Sequence, residues 1–446
     1  MQSQKLTNIS NNVIRFFNKS INTAAHSVGF NQRKSKLSAK NFCHILIASC
    51  LEGSAPSLED MCRLAKEKRI RITKQGLQQR FTSKATSLMH KLFIEGLQKF
   101  KTESHGVFNL LTHFTSVGII DSTNIALPSS LKNTFKGWGG TASEAGLKLQ
   151  TYFDYIHGQI KQIDITPANV NDQSFDAYLN QVKQGSLHLQ DLGYFKKGSF
   201  EKINCKGAYF ISRFFQKTTI FTAKNTPISL VKELKKCKSD RYCKEVSFKI
   251  ESNLMMRLIA YRLPDEEVEK RIRKIKRNAA TKRRAVSQET LELSKWSIFI
   301  TNIPINILNN EQVYTIYALR WQIELFFKLC KSDAGIDKIR AKNVDRILCE
   351  IYGKLIGITI HLFLSSQLRW NKTTELSFQK AYKQLKRRAL DFFRALASRY
   401  RLLKFLKLLI DDLKNFAYKD RYHKKRRLTC QKVMDSAGQI ELQGVA

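Results

Sequence analysis

Between Tyr314 and Lys331 the chain reads YTIYALRWQIELFFKLCK, without Gly or Pro and with apolar residues recurring at helical spacing, which predicts a helix. With Tyr317 at zero on a wheel of about 100° per residue, Arg320, Glu324 and Lys331 fall near 300°, 340° and 320°. All four share one narrow strip, and Lys328 lies on it too. Leu319, Ile323, Phe326 and Phe327 fill one flank, while Trp321, Leu325 and Leu329 fill the other. Such a helix needs cover on both sides, and burying unpaired charge is expensive. The strip therefore reads as one wall of a charged cleft. An amphipathic surface helix with an internal Arg320 to Glu324 pair is the other reading, and the wheel does not choose between them.

Whatever lies across that cleft has to come from a chain that changes period twice. Residues 1–110 read as helical. Ser57-Leu-Glu-Asp caps a helix through about Lys66, a basic turn KRIRIT follows, and Thr73 opens a second helix, a helix-turn-helix-like pattern. In that pattern Gln75, Gln78, Gln79 and Arg80 are the candidate DNA-reading residues, beside the plainer reading of a helical hairpin. From about Thr115 the period becomes that of strands: VGIIDST, then LKLQTYFDY alternating like a half-exposed strand, then Gln159 to Thr166 after His157-Gly158. Short turns between them predict an antiparallel meander. A short helix near Gln173 to Lys183, the strand LHLQDLG, a helix from Phe195 to Ile203 and a fifth strand at Ala208 to Phe215 complete the pattern.

The expected fold class is thus α/β, a mixed five-stranded sheet flanked by helices, with helical N- and C-terminal regions. A β-rich insertion over 216–305 interrupts it. That insertion carries a basic run over 270–284, which includes Arg273, Lys274 and Arg277 and reads as a phosphate-contacting arm or as a solvated helix face. The strand WSIFITN, beginning at Trp296, closes the insertion, and the core resumes over 306–370. The first core part is 111–215, and 371–446 is a basic helical region with clusters at Lys386 to Arg388 and Lys424 to Arg427 and a polar tail from Asp435.

Composition decides the partner. With 77 Lys and Arg against 37 Asp and Glu, the formal charge is +40, which asks for a polyanion. Basic residues run through the whole chain without a juxtamembrane or lipidation pattern, so nucleic acid is favoured over a membrane surface. The start MQSQKLTNIS lacks the apolar core of a signal peptide, and Leu355 to Leu364 is too short to span a bilayer. Nine Cys without CxxC pairs suit a reducing cytoplasm and suggest neither a zinc site nor a disulfide framework.

Three carboxylates stand where chemistry could occur. Asp121 ends one strand, Asp191 ends another, and Glu324 sits in the strip described above. If the two strands are neighbours, both aspartates lie at one sheet edge. Carboxylates converging in so basic a chain make sense around a cation, and hard oxygen ligands select Mg²⁺ or Mn²⁺, two ions of which could activate a water or 3′-hydroxyl against a phosphodiester. Each aspartate also has a turn-forming reading, and Asp154, Asp164 and Asp172 compete for the second position. No GxxxxGK[ST] or well-placed GxGxxG occurs, which argues against a nucleotide cofactor, and no Gly-flanked Ser nucleophile is present.

Tyr317, Arg320, Glu324 and Lys331 together match Y-x2-R-x3-E-x6-K, and on that pattern the chain resembles the bacterial insertion-sequence transposases of the fourth family, within the DDE superfamily of ribonuclease H-like fold. VGIIDST looks like the family's first-Asp strand, LHLQDLGYF like its second and WSIFITN like the strand leading to the Glu helix. The resemblance implies Asp121, Asp191 and Glu324 as a metal-binding triad, and Tyr317, Arg320 and Lys331 as holders of the transposon-end phosphates. It implies that Trp296 stacks on a flipped base, against the plainer reading of a core Trp. It also implies cut-and-paste transposition: a homodimer synapsing two ends, metal-dependent nicking, a hairpin intermediate and strand transfer into target DNA, in a cytoplasmic, nucleoid-associated protein. A decayed or domesticated DNA-binding copy and a structure-specific endonuclease are the rival readings.

Overall fold

The computed structural model describes residues 2–31, 37–53, 55–101, 109–139, 143–248, 254–368 and 375–420. The Lys424 to Arg427 cluster and the tail from Asp435 lie outside the described residues. Six helices come first: α1 (Gln2–Arg15), α2 (Ile21–Ser27), α3 (Ala39–Glu52), α4 (Leu58–Glu67), α5 (Lys74–Gln78) and α6 (Ser83–Lys99). Strands β1 (Val117–Leu127), β2 (Ala145–Asp154), β3 (Gln159–Pro167) and β4 (Leu187–Gln190) follow, then α7 (Lys197–Cys205) and β5 (Tyr209–Arg213). A two-stranded ribbon of β6 (Ile220–Phe221) and β7 (Pro227–Ile228) precedes α8 (Leu230–Lys236), β8 (Arg241–Val246), β9 (Met256–Arg262), α9 (Asp265–Thr281), α10 (Gln288–Ser294) and β10 (Trp296–Thr301). The chain ends through α11 (Asn310–Tyr317), α12 (Trp321–Lys328), α13 (Val344–Ser365), α14 (Phe378–Arg387), α15 (Ala389–Ala395) and α16 (Arg399–Phe416).

The sheet runs β3-β2-β1-β4-β5-β10-β9-β8. β1, β4 and β5 are parallel, while β2 with β3 and β5 with β10 pair antiparallel. A mixed sheet flanked by helices, in this order, is the ribonuclease H-like α/β class anticipated from the sequence. It has eight strands rather than five, because β8, β9 and β10, all expected within the 216–305 insertion, continue the ladder outward from β5. Between the end strands β3 and β8, each strand is paired on both sides. The stretch expected as a helix near Gln173 to Lys183 is instead two 3₁₀ turns, Asp172–Ser174 and Ala177–Gln181.

Two compact units emerge. One takes its described residues from 2–101, 122–170 and 321–420, the other from 109–121 and 171–320. In the first, β2 departs from the half-exposed expectation and is buried at all ten positions. Its two charged side chains find partners: Lys148 donates to the Val170 carbonyl at 2.5 Å, and Asp154 meets the His157 ring nitrogen at 2.7 Å and the Lys161 ammonium at 3.4 Å. Alternation in the sequence thus marked paired polar groups, not a wet face. The same unit holds α13, the one described helix long and apolar enough to cross a bilayer, and 89% of its most apolar window is buried inside the protein. Leu355 to Leu364 is therefore the core helix segment expected of it.

Close packing of α3 on α13 depends on two glycines. A Cβ on Gly357 would stand 2.9 Å from Leu51 Cδ2, and one on Gly353 would stand 3.0 Å from Cys50 Sγ. Gly in a helix interior costs about 1 kcal/mol against Ala, and here the cost is offset by tight apolar contact. Gly357→Val should destabilise the protein by about 1–3 kcal/mol through overpacking, read as a lowered midpoint of chemical unfolding; an unchanged midpoint would mean the two helices part without cost.

Candidate active site

In the second unit, β1 and β4 run parallel with Val117 opposite Leu187 and Ile120 opposite Gln190. The next residue on each is Asp121 and Asp191. Both follow apolar runs that are buried through Ile120 and Gln190, and both are themselves half-buried. Register partners on neighbouring parallel strands share a face, so the two aspartates stand at one edge of the sheet, as the sequence suggested. Asp191 also begins the turn into Leu192–Tyr194, its carbonyl accepting from the Tyr194 amide at 3.0 Å.

Charge is balanced locally. Arg320 Nη1 donates to Asp121 Oδ2 at 3.1 Å, with side chains only 17% and 21% exposed. Arg320 thus reaches a partner on β1, 199 residues away, that the wheel did not show. Tyr317, 9% exposed, donates its hydroxyl to the Gln190 carbonyl at 3.2 Å and packs its ring on Phe299 at 4.8 Å. Burial raises the phenol's pKa well above its usual range, and the Asp191 carboxylate adds to the effect. The hydroxyl is thus a firm donor bracing the residue before Asp191.

The stretch Tyr314 to Lys331 is not one regular helix. α11 starts early, at Asn310, because Asn309 and Gln312 form a reciprocal capping box. The chain then tightens to 3₁₀ over Ala318–Arg320, resumes as α12 and widens to a π turn at Leu329–Asp333. Changing the rise and twist invalidates a uniform wheel. Trp321, expected in an apolar flank, is 52% exposed, and Tyr314 is 47% exposed, whereas Leu319, Ile323, Phe326 and Phe327 are buried as expected. Glu324 and Lys331 are half-buried in the first unit, Glu324 on α12 and Lys331 in the π turn, and Lys328 is exposed.

Several site residues were invisible in the sequence. Arg257 on β9 is 8% exposed and donates to the carbonyls of Ile303 and Leu308 and to Asn310 Oδ1, at 3.0, 2.7 and 2.8 Å. It pins the loop that launches α11. A second feature is a cavity of about 440 Å³ whose walls include Leu192, Arg213, Lys217, Arg271 and Trp296. Trp296 is 6% exposed, so it serves the core while presenting to this cavity, and Arg271 donates to its carbonyl at 3.2 Å. Arg213, a lone cation at the end of the apolar strand YFISR, was the one available signal.

Other expected residues lie elsewhere. Arg273, Lys274 and Arg277 are exposed on α9, where Arg273 pairs with Glu269 at 3.3 Å. In the first unit, Ser57 and Thr73 cap α4 and α5 as read from the sequence. Gln78 and Arg80, however, are engaged inside the protein: Gln78 accepts from Arg346 at 3.2 Å, and Arg80 donates to the Leu37 carbonyl at 3.2 Å and stacks over Phe30. Gln75 and Gln79 are exposed. Of the rivals for the second carboxylate, Asp154 is fully buried with its partners, Asp164 accepts from Gln162, and Asp172 sits in a 3₁₀ turn.

As a donor set, two carboxylates at one edge suit a hard cation, and the Arg320 guanidinium on Asp121 fills that counter-charge role. Among the described residues no group of three or more His, Cys, Asp or Glu is assembled to hold a metal. Tyr317→Phe should cost about 1 kcal/mol of stability through the lost bond to Gln190, measured by denaturant unfolding; a change near zero would mean that bond contributes nothing.

A family model described as "Transposase DDE domain" matches residues 112–360. The transposase for insertion sequence element IS231F of Bacillus thuringiensis subsp. israelensis is 30% identical over 81% of this chain and 79% of its own. That for IS1151 of Clostridium perfringens is 28% identical over 95% of each. Among solved structures, a piggyBac transposase synaptic complex with hairpin DNA aligns over 90% of this chain and 84% of its own, at 9% identity and a TM-score of 0.46.

Proposed function

The chain belongs to the family of transposases that carry a DDE domain and is a DNA transposase of insertion-sequence type, and we propose that Asp121, Asp191 and Glu324 are the carboxylates with which it cuts transposon ends. The observation that carries this reading is the β1 to β4 register, which aligns two acceptors at one edge beside a guanidinium. Divalent metal ions serve this family, and the hard oxygens of this donor set favour Mg²⁺ or Mn²⁺, two ions in our reading. When bound, such ions supply an activated water or 3′-hydroxyl and stabilise the leaving oxygen.

The chain's own residues do the rest. Asp121 would hold the metal, and the Arg320 guanidinium beside it would take a phosphate oxygen of the transposon end, with Lys331 as a second phosphate contact. Tyr317, in this reading, acts chiefly by bracing the β4 end through the Gln190 carbonyl. The cavity walled by Trp296, Arg213 and Arg271 is sized for an unstacked base, its aromatic face for stacking and its cations for the flanking phosphates. Residues 1–110 and the basic helix α9 supply further grip on the duplex, in keeping with the +40 charge. Two protomers synapse the two ends, the freed 3′-hydroxyl attacks the opposite strand to close a hairpin and release the flanking DNA, water reopens the hairpin to restore the 3′-hydroxyl, and that hydroxyl attacks a target phosphodiester, whose own 3′-oxygen leaves. The protein acts on chromosomal DNA in the bacterial cytoplasm, without a nucleotide cofactor.

Incubation with DNA bearing the flanking repeats of its own gene tests this. Asp121→Asn, Asp191→Asn and Glu324→Gln should each abolish Mg²⁺-dependent end cleavage while end binding stays measurable; normal cleavage by Glu324→Gln would remove it from the triad. Cutting without joined products would indicate a structure-specific endonuclease, and binding with no cutting by the native chain a decayed copy. Lys331→Ala should lower the salt dependence of end binding by about one unit of slope, and an unchanged slope would exclude phosphate contact there.

A further inference from the structure

Four described helices end with the same pair of backbone bonds. In each, the residue after the C-cap adopts a left-handed conformation and donates to the carbonyl three back, and the following amide reaches the carbonyl five back. For α2 these are Gly29 to His26 and Phe30 to Ala25; for α7, Gly207 to Asn204 and Ala208 to Ile203. For α4 they are Arg69 to Lys66 and Ile70 to Ala65; for α9, Arg283 to Ala280 and Arg284 to Ala279. This is the Schellman closure, whose left-handed residue is normally Gly. Two of the four use it, at φ 63° and 64°, while the other two place an arginine there, at φ 58° and 48°.

A side chain in that conformation costs about 1 kcal/mol or more relative to Gly. Helix-dipole compensation does not account for the choice. α4, α7 and α9 all carry a lysine at the C-cap itself, Lys68, Lys206 and Lys282, yet only α7 follows it with Gly. Nor does an internal ion pair. Arg69 and Arg283 are exposed, and among the described residues neither pairs with a carboxylate; Glu67, in the last turn of α4, is taken by Arg394 at 3.0 Å. What the two positions share is their surroundings. Arg69 lies with exposed Lys66 and Arg71 along a groove of about 860 Å³ that includes Ile70 and Thr73. Arg283 is flanked by exposed Lys282 and Arg284, and Arg284 occupies the position where this closure usually carries an apolar clasp.

We propose that Arg69 and Arg283 are duplex-phosphate contacts, each held by a rigid helix-closing turn that aims its guanidinium, with Arg71 or Arg284 beside it, at the DNA backbone. The inference rests on the DNA transposase reading. It moves the grip of the N-terminal region from Gln78 and Arg80, which are bonded inside the protein, to the turn that precedes α5. Phosphate of nucleic acid is favoured over a lipid surface because the side chains exposed beside both arginines are charged, with no large apolar group to insert.

The full chain, without metal, is titrated against a labelled duplex of arbitrary sequence over a salt series. Arg69→Gly and Arg283→Gly should each lower the slope of log affinity against log salt by about 0.9, and the double variant by about twice that, so that each arginine removed spares about 3.5-fold of the affinity lost over a fourfold rise in salt. The melting temperature should hold or rise, because Gly is the cheaper residue in this backbone, and Lys at the same positions should restore the slope. An unchanged slope overturns the proposal, and an unchanged slope with a lowered melting temperature assigns the arginines to helix closure. Loss of binding to anionic vesicles with an unaltered DNA slope would overturn it in favour of lipid. Because no cleavage is read, failure here leaves the carboxylate assignment standing, and retained cleavage by Asp121→Asn would fail that assignment without touching this one.

Discussion

The parallel pairing of β1 with β4 is the constraint from which the candidate site follows. A parallel ladder has no freedom to slip by one residue without moving every side chain to the opposite face, and here the buried apolar runs VGII and LHL hold the register. With the register held, Asp121 and Asp191 are obliged to share an edge. The cations around them are equally constrained: Arg320 reaches Asp121 because a 3₁₀ turn follows α11, and α11 is aimed by a loop that buried Arg257 ties down through three bonds.

Electrostatics divides this basic chain into two kinds of positive charge. One kind is committed internally, as with Arg80 on Phe30, Arg257 on loop carbonyls, Lys148 on Val170 and Arg346 bonded to Glu350 at 2.8 Å. These cations complete the fold. The other kind stands exposed on α9 and on helix-closing turns, where it is unburied and meets a polyanion with an attraction that salt weakens. Sequence alone counts both kinds together, which is why net charge identified the class of partner but not the residues that meet it.

Much of the fold was legible before any coordinates. Apolar runs closed by aspartates announced strands, the capping signals at Ser57 and Thr73 announced α4 and α5, and the apolar run at Leu355 announced a core helix. The misses share a cause. β2 alternates in hydropathy yet is buried throughout, with Lys148 bonded to the Val170 carbonyl and Asp154 to His157 and Lys161. β8 and β9 join the main sheet because backbone edges pair irrespective of the side chains that suggested an insertion. A local pattern reports what a segment prefers, and neither the number of neighbours nor the partner of a polar group is a local property.

By itself, then, the sequence determined most of the strands and longer helices, the polyanionic class of partner and the three carboxylates worth considering, because hydrophobic period, charge and residue chemistry are written along the chain. Only the tertiary structure decided the strand order, the break of the Tyr314 to Lys331 stretch into α, 3₁₀, α and π segments, the pairing of Arg320 with Asp121 and the bonding of Gln78 to Arg346 and of Arg80 to the Leu37 carbonyl. Those outcomes depend on contacts between residues far apart in the chain. Burial and partner, rather than identity, set what a charged side chain is available to do.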